Sequence, residues 1–525
     1  MEPEGLVTKS SPRGVLFALA VITLTALALR MFRLSHPSFW NDEYATYVFA
    51  TEPFSRIFSS EYAAETNPPL YYLIQKAWLL LGDSREFMRM LSVFFGVLAI
   101  PLTYLVGRPL LGDGPSLIAC GLVATSEIHI HYSREIRCYS LLIAASLGAL
   151  ACLLRIFAAG GVIVSIPPNS PPIGSSIRRS ILLWAGYGSC SLVALYAHST
   201  AILLPVLGLG LVAGLVLAAR APRRLLVTFL AVNSLVGILY LPWLLVLANQ
   251  SRRVLPNFWI PPSTFSWIYS NVLGTYPYPK WAKPIMWGFL LLGGWSLRKH
   301  RAGAFLLAFV VGQPFVLWLT SQFQHVFIVR AMLWPTPLGF LVMAWGFYQL
   351  LPWLGGRGVA MVTFVACALQ LWDARQAFPV QREDRSSVLV KALSDYRAES
   401  DILVFAPIST AWALWYEGRK LAIPRSGIGV TYGDRPLQLE QWYGAHRILR
   451  SEIKNNLADA QRAWLLIERK PMTASKAGEG FEQLPESLAA WGNLVQVWDC
   501  GTDDLKLYQR NRPVLDAPPK ALQHE

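Results

Sequence analysis

Before residue 375 the chain runs repeatedly through apolar stretches of about 16 to 24 residues, the length at which one helix crosses a bilayer. Hydrocarbon offers no partners to backbone N–H and C=O groups, so such runs must pair those groups internally as helices. Of the 525 residues, 54% are hydrophobic and 15% charged, against about 25% charged in a soluble domain. The expected fold class is therefore a polytopic α-helical membrane protein. Spans are expected near 13–34, 88–108, 114–130, 138–157, 181–197, 200–219, 225–248, 283–298, 303–320, 330–350 and 358–373, about eleven in all. No cleavage pattern follows the first run, Val15 to Leu29, which reads as a retained anchor. The run Pro68 to Leu81 is too short for a span and opens on Pro-Pro, so it reads as a juxtamembrane or re-entrant helix.

Orientation follows from the basic clusters, which concentrate in cytoplasmic loops. With eleven spans and an inside N-terminus, Arg178-Arg179, Arg220, Arg223-Arg224 and Arg298-Lys299-His300-Arg301 all fall inside. Counting Pro68–Leu81 as a span would move every one of them outside. The chosen topology puts residues 35–87, a first outer loop, and everything after about 374 on the outer face. The net charge of +14 is spread among membrane helices, which argues against nucleic acid as a partner. Five of the six cysteines lie in apolar runs and Cys500 stands apart, with no metal-type spacing and no disulfide framework. The proline-rich stretch Ile166 to Pro172 carries no assignable chemistry.

After residue 374 charge rises and short β-like runs appear at Asp401–Phe405, Ala463–Ile467 and Leu494–Trp498, with helix-like stretches between them such as Leu439 to Ala460. The expected division is a membrane domain over 1–373, including the outer loop 35–87, and a small outer α/β domain over 374–525.

Chemistry is concentrated at the outer face. Asp42 and Glu43 follow the first span amid Phe39, Trp40, Tyr44 and Tyr47. An acid pair at a membrane surface is costly and marks a functional site, although in an ordinary loop the same pair caps a helix. Aromatic surroundings desolvate carboxylates and suit them to base work. Arg89, Arg134, Arg137 and Arg330 lie near the outer ends of helices running inward. A helix N-terminus already carries partial positive charge, so cations gathered there suggest a shared anion, phosphate or pyrophosphate. Arg89 or Arg330 alone would equally suit snorkelling to lipid headgroups. Arg134 and Arg137, three apart, favour the anion reading, and Glu135 could pair with either. His129 and His131 would point apart on a helix or a strand, so little in the spacing favours a divalent metal held by Asp42 and one histidine. No cofactor is otherwise indicated.

In this order the motifs resemble those of bacterial GT-C membrane glycosyltransferases of the protein O-mannosyltransferase and lipid A aminoarabinose transferase type. The resemblance rests on Asp42-Glu43-x-x-x-Tyr47, Asn67-Pro68-Pro69-Leu70-Tyr71-Tyr72, Arg89-Met90-Leu91-Ser92, and Tyr132-Ser133-Arg134-Glu135-Ile136-Arg137-x-Tyr139. His198, Arg330 and Glu383-Asp384-Arg385 complete it, so it spans nearly the whole chain. It implies an inverting transferase moving a sugar from a polyprenyl-phosphate donor to a lipid, glycan or protein hydroxyl, at the outer face of the cytoplasmic membrane. Asp42, with Glu43, would be the catalytic acid pair, and Arg134, Arg137, Arg89 and Arg330 would hold the donor phosphate. Trp40, Tyr47, Asn67, Tyr71, Tyr72, Tyr132, Tyr139 and His198 would line the substrate. One departure stands out: some relatives place Glu-Lys before Pro-Pro, where this chain has Thr66 and Asn67 and so no lysine charge. The rival class is a transporter or flippase of a polyprenyl-linked intermediate, which would also need outward cations but commonly shows internal repeats; none is evident here.

Overall fold

The computed structural model describes residues 11–35, 39–57, 67–162, 177–254, 264–375, 385–406, 410–420, 427–430, 445–448, 457, 460–468, 484–500 and 503–511. Thr66, the proline-rich stretch and Glu383-Asp384 lie outside them. Contacts divide the chain into two compact units, one comprising Met1–Ser35 and Thr66–Val380, the other His36–Glu65 and Gln381–Glu525. The first outer loop, expected with the membrane domain, thus clusters up to residue 65 with the C-terminal region.

The first unit opens with α1 (Pro12–Met31). The short helices α2 (Asn41–Thr51) and α3 (Phe54–Ile57) belong to the second unit. The chain then returns through α4 (Leu70–Leu79), α5 (Arg85–Leu111), α6 (Asp113–Thr125), α7 (Glu127–Ser133), α8 (Tyr139–Ala159) and α9 (Ile177–Ala197). It continues through α10 (Leu203–Leu217), α11 (Arg223–Val254), α12 (Phe265–Gly274), α13 (Lys283–Leu297), α14 (Arg301–Val310), α15 (Gly312–Thr320), α16 (Thr336–Tyr348) and α17 (Leu351–Ala374).

Among the described residues, eight segments are long and apolar enough to span a membrane: α1, α5, α8, α9, Ser199–Leu217, Arg223–Ala248, Arg301–Thr320 and α17. The protein is a multi-pass membrane protein. The expected spans 114–130, 283–298 and 330–350 differ for local reasons. Ser126 takes an extended conformation and splits the first of these into α6 and α7. The second is α13, whose 15 residues reach roughly 22 Å at about 1.5 Å per residue. In the third, Pro335 and Pro337 keep the preceding chain from continuing as helix, so Val329–Met332 forms a 3-10 turn and α16 starts at Thr336. The run after Pro-Pro is the 10-residue α4, as a juxtamembrane helix requires.

Small residues set the closest crossings. A Cβ added to Gly293 in α13 would meet the carbonyl of Val342 in α16, and one on Gly346 in α16 would meet the carbonyl of Phe289 in α13. Without a hydrophobic drive between helices in lipid, such close backbone approach provides the packing energy.

The second unit continues through α18 (Arg385–Tyr396), β1 (Ile402–Ala406), α19 (Ala411–Glu417), β2 (Gly427–Val430), β3 (Ala445–Ile448), β4 (Arg462–Glu468), α20 (Leu484–Ala489), β5 (Gly492–Asp499) and β6 (Asp503–Arg510). These form one sheet in the order β3-β2-β1-β4-β6-β5. β3, β2, β1 and β4 are parallel, while β6 and β5 add antiparallel. Val404, Ala463, Leu465, Leu484, Leu488 and Tyr508 lie in its core. Buried Asp401 joins the elements by accepting from Trp464 Nε1 at 2.7 Å and the backbone N of Ala398 at 3.0 Å, beside Arg462 at 3.2 Å. The three β-like runs are β1, β4 and β5. The helix-like stretch Leu439–Ala460 is corrected: its residues 445–448 are β3, because the open edge of β2 supplies backbone partners that outweigh local helical preference.

The crossing of α13 and α16 is testable. Gly293→Ala and Gly346→Ala should each cost about 1–3 kcal/mol by overpacking, read as a lower melting temperature in detergent. Gly210→Ala, which meets nothing within 4 Å, should leave the melting temperature within error.

Candidate active site

The two acids of the first loop separate in role. Trp40 is the N-cap of α2, and Glu43 at N3 turns its Oε2 back toward the Trp40 backbone N at 3.4 Å, the acidic half of a capping box. Glu43 is 1% exposed and is engaged in holding the helix start. Asp42, one residue earlier in the same turn, is half-exposed, and its carbonyl accepts from Thr46 Oγ1 at 2.8 Å. Its carboxylate sits where α2 has partial positive charge, an electrostatically favourable place for an anion. Tyr47 is buried on the same helix.

The arginines also divide. Arg134 is the C-cap of α7 rather than the start of an inward helix. One of its terminal nitrogens donates to the carbonyls of Phe32 and Arg33, each at 2.9 Å. Arg89, in the second turn of α5, donates to Leu34 O at 2.8 Å. Both therefore serve the turn after α1, where Arg33 adopts φ 51° and helix-terminal carbonyls need donors. Deeper in the same helix Arg30, fully buried, donates to Ser133 Oγ at 3.2 Å and to the carbonyls of Ala26 and Ala124 at 3.1 Å each.

Arg137 and Arg330 belong to a different cluster. Arg137 precedes the N-cap of α8 and donates to the Tyr72 hydroxyl at 3.3 Å. Ser92 Oγ donates to the Arg137 carbonyl at 3.3 Å and lies 2.6 Å from the Tyr71 hydroxyl. Tyr71 and Tyr72 are both buried, and Asn67 is buried just ahead of their helix. The Tyr132 ring meets Tyr139 edge-on at 4.8 Å, and Tyr139 lies 5.7 Å from the His198 ring. Arg330 acts electrostatically on both Tyr132 and His198. It rides on the 3-10 turn Val329–Met332, which Asn271 Oδ1 holds by accepting from Val329 N at 2.8 Å. Gln313 Nε2 braces the same turn by donating to Ala331 O. The result is a cationic, aromatic, largely buried cluster suited to an oxyanion with an apolar attachment. Ser92 stands in the motif Arg89-Met90-Leu91-Ser92 without a role there, and nothing local marks Asn271 or Gln313 as braces for residues many positions away.

His129 Nε2 pairs with Thr336 Oγ1 at 2.7 Å, and His131 pairs with Glu135 at 3.0 Å. Among the described residues no group of three or more His, Cys, Asp or Glu converges as a metal site would require.

His198 lies between two spans and caps the 3-10 turn Ser199–Ile202. Its Nδ1 accepts from Thr200 N at 3.2 Å, which leaves the ring proton on Nε2. Removal from water, then the positive charges of Arg330 and Arg137, lower its pKa to about 3. The unfolded chain therefore binds this proton first. Stability is full above about pH 6.5 and declines as pH falls toward 3, with a steepest slope of about 1.4 kcal/mol per pH unit for one proton. Asparagine also caps, so His198→Asn should flatten the fall in melting temperature between pH 6.5 and 4. An unchanged pH profile would show that the ring is not held neutral by folding.

Residues 66–162, which carry Asn67, Tyr71, Tyr72, Arg89 and the Tyr132–Tyr139 motif, match the family model for dolichyl-phosphate-mannose-protein mannosyltransferase. No curated protein sequence matches the chain significantly. The structure resembles ArnT from Cupriavidus metallidurans in the apo state, with a TM-score of 0.61 at 10% identity over 95% of this chain and 98% of that one. ArnT bound to undecaprenyl phosphate gives a TM-score of 0.58 at 11% identity, with the same coverage of both chains. The archaeal oligosaccharyltransferase AglB from Archaeoglobus fulgidus, in complex with an inhibitory peptide and a dolichol-phosphate, gives 0.57 at 12% identity, over 96% of this chain and 75% of that one. At such identities the likeness shows the fold alone, a multi-pass helical body of the GT-C fold with a small C-terminal α/β domain.

Proposed function

We propose that this protein is an inverting glycosyltransferase that moves a sugar from a polyprenyl-phosphate carrier to an acceptor hydroxyl. The observation that carries this is the division of labour at the start of α2: Glu43 is buried in the cap, and Asp42 remains half-exposed beside it. A carboxylate so placed is a general base held on a rigid element. The acceptor oxygen attacks the anomeric carbon as that carbon's bond to the phosphate oxygen breaks. Asp42 takes the hydroxyl proton, and the polyprenyl phosphate leaves with the electron pair. Negative charge grows on the phosphate as the sugar becomes oxocarbenium-like, and fixed cations stabilise that charge most in the transition state.

For that cationic role we favour Arg137 and Arg330 over Arg89 and Arg134, which donate to carbonyls of the turn after α1. Tyr72, Tyr132, Tyr139 and His198 supply the apolar and hydrogen-bonding lining around the cations. Trp40, Tyr47, Asn67 and Tyr71 shape their surroundings. The family match and the lipid phosphates bound by ArnT and AglB support a lipid-linked donor. The clustering of short-loop arginines at 178–179, 220–224 and 298–301 supports placing the acid and the C-terminal domain on the outer face of the cytoplasmic membrane.

Three substitutions test this reading together. Asp42→Asn should lower transfer by about a hundredfold or more while leaving binding of a polyprenyl-phosphate analogue intact. Arg137→Lys, which keeps charge but loses the planar fork, should weaken analogue binding by about tenfold. Arg134→Lys should lower thermal stability with binding little changed. Wild-type transfer by Asp42→Asn, or unaltered binding by Arg137→Lys, would overturn the corresponding role.

A further inference from the structure

The helix that carries Asp42 is packed against the C-terminal region, hundreds of residues away in sequence. Tyr44 in α2 donates its hydroxyl to Glu417 Oε1 at 2.9 Å, across a separation of 373 residues. The Tyr416 ring, 1% exposed, sits among three aromatics of the first loop. Its centroid lies 4.7 Å from Phe39, 4.9 Å from Tyr47 and 6.1 Å from Tyr44. Arg419 covers Tyr416 at 3.9 Å and donates to its carbonyl at 2.8 Å, fixing the end of α19. Phe39 and Tyr44 complete the cluster edge-on at 5.5 Å.

The periodicity of α2 gives this packing a direction. At about 100° per residue, Tyr44 and Tyr47 share one face, and Asp42 lies roughly 190° from their mean direction. The helix is therefore gripped from behind, with the acid on the opposite side. Glu43 falls between the two faces, where it is buried in the cap. Each contact is of modest strength alone: an aromatic pair contributes about 0.5–1.5 kcal/mol beyond its area burial, and a hydrogen bond to a carboxylate about 1.5–3 kcal/mol. Together they set both the rotation and the position of an 11-residue helix, which is too short to hold its conformation alone.

We infer that the C-terminal α/β domain acts in catalysis by holding the acid-bearing helix, with Tyr416 and Glu417 as positioning residues for Asp42. This rests on Asp42 being the base. It gives the domain a task in the transfer that needs no ligand site of its own. Displacing a base by about 1 Å can cost up to a hundredfold in rate, so loosening the grip should be felt in turnover and not in donor binding.

The test compares purified full-length variants for transfer, polyprenyl-phosphate binding and melting temperature. Tyr416→Ala should lower turnover about tenfold or more with analogue binding unchanged, which also reports that the membrane unit is folded. Tyr44→Phe removes the hydroxyl–carboxylate bond and Glu417→Gln takes away its charge assistance, and each should lower turnover about threefold. In an Asp42→Asn background all three changes should have little further effect, because a positioning residue acts through the group it positions. Turnover per folded molecule that stays at wild type in these variants, with only the melting temperature reduced, would overturn the inference. An equal fold-loss with and without Asp42 would overturn it as well. If Tyr416→Ala does not fold, the two milder variants decide the matter by the same comparison. Absence of transfer by the wild-type protein would instead count against the proposed function itself.

Discussion

At the end of a membrane helix water is scarce, and the last carbonyls must find donors within the protein. That constraint organises the arginines of this structure. Arg30 supplies donors inside the bundle, while Arg89 and Arg134 supply them to the turn Phe32–Leu34, where α1 ends and the acid-bearing loop begins. A guanidinium reaches several acceptors at once with fixed geometry, which lysine does not. The turn that ends α1 is therefore held by two arginines that a charge-based reading assigns to substrate.

Arg137 and Arg330 belong to a cluster built differently, the one proposed for the donor phosphate. Their neighbours are tyrosines, a neutral histidine cap and a 3-10 turn braced from α12 and α15. A neutral His198 beside two arginines keeps the local charge positive without adding to it. This is the arrangement expected where negative charge develops during reaction. The same economy governs α2: one acid of an adjacent pair stabilises the helix start, and the other is presented by it. The position proposed for the base thus depends on capping chemistry and aromatic packing within its own unit.

Much of the membrane body was legible because hydrophobicity sustained over some twenty residues leaves few alternatives. The regions that resisted reading are those where a single residue overrides the run: extended Ser126 between α6 and α7, and Pro335 with Pro337 ahead of α16. In the C-terminal domain, β1, β4 and β5 announced themselves by β-branched and aromatic composition. β3 did not, since its strand character comes from the edge of β2. For the proposed site, residue type singled out Asp42, Arg137, Arg330, Tyr72 and His198. It could not separate Asp42 from Glu43, or Arg137 from Arg134, because cap geometry and carbonyl partners are properties of the fold. Nor could it connect Tyr44 with Glu417, a contact that exists only once the sheet domain has formed.

The central claim is that this GT-C fold catalyses sugar transfer from a lipid phosphate and does not merely move the lipid across the membrane. The most direct measurement incubates the purified protein with polyprenyl-phosphate sugars labelled at the anomeric carbon. The fate of the label is then followed with and without acceptor. The account predicts cleavage of the sugar–phosphate bond, slow with water and faster with the right hydroxyl, giving product of inverted anomeric configuration. An intact donor after many hours, together with its passage between leaflets of reconstituted vesicles, would contradict it.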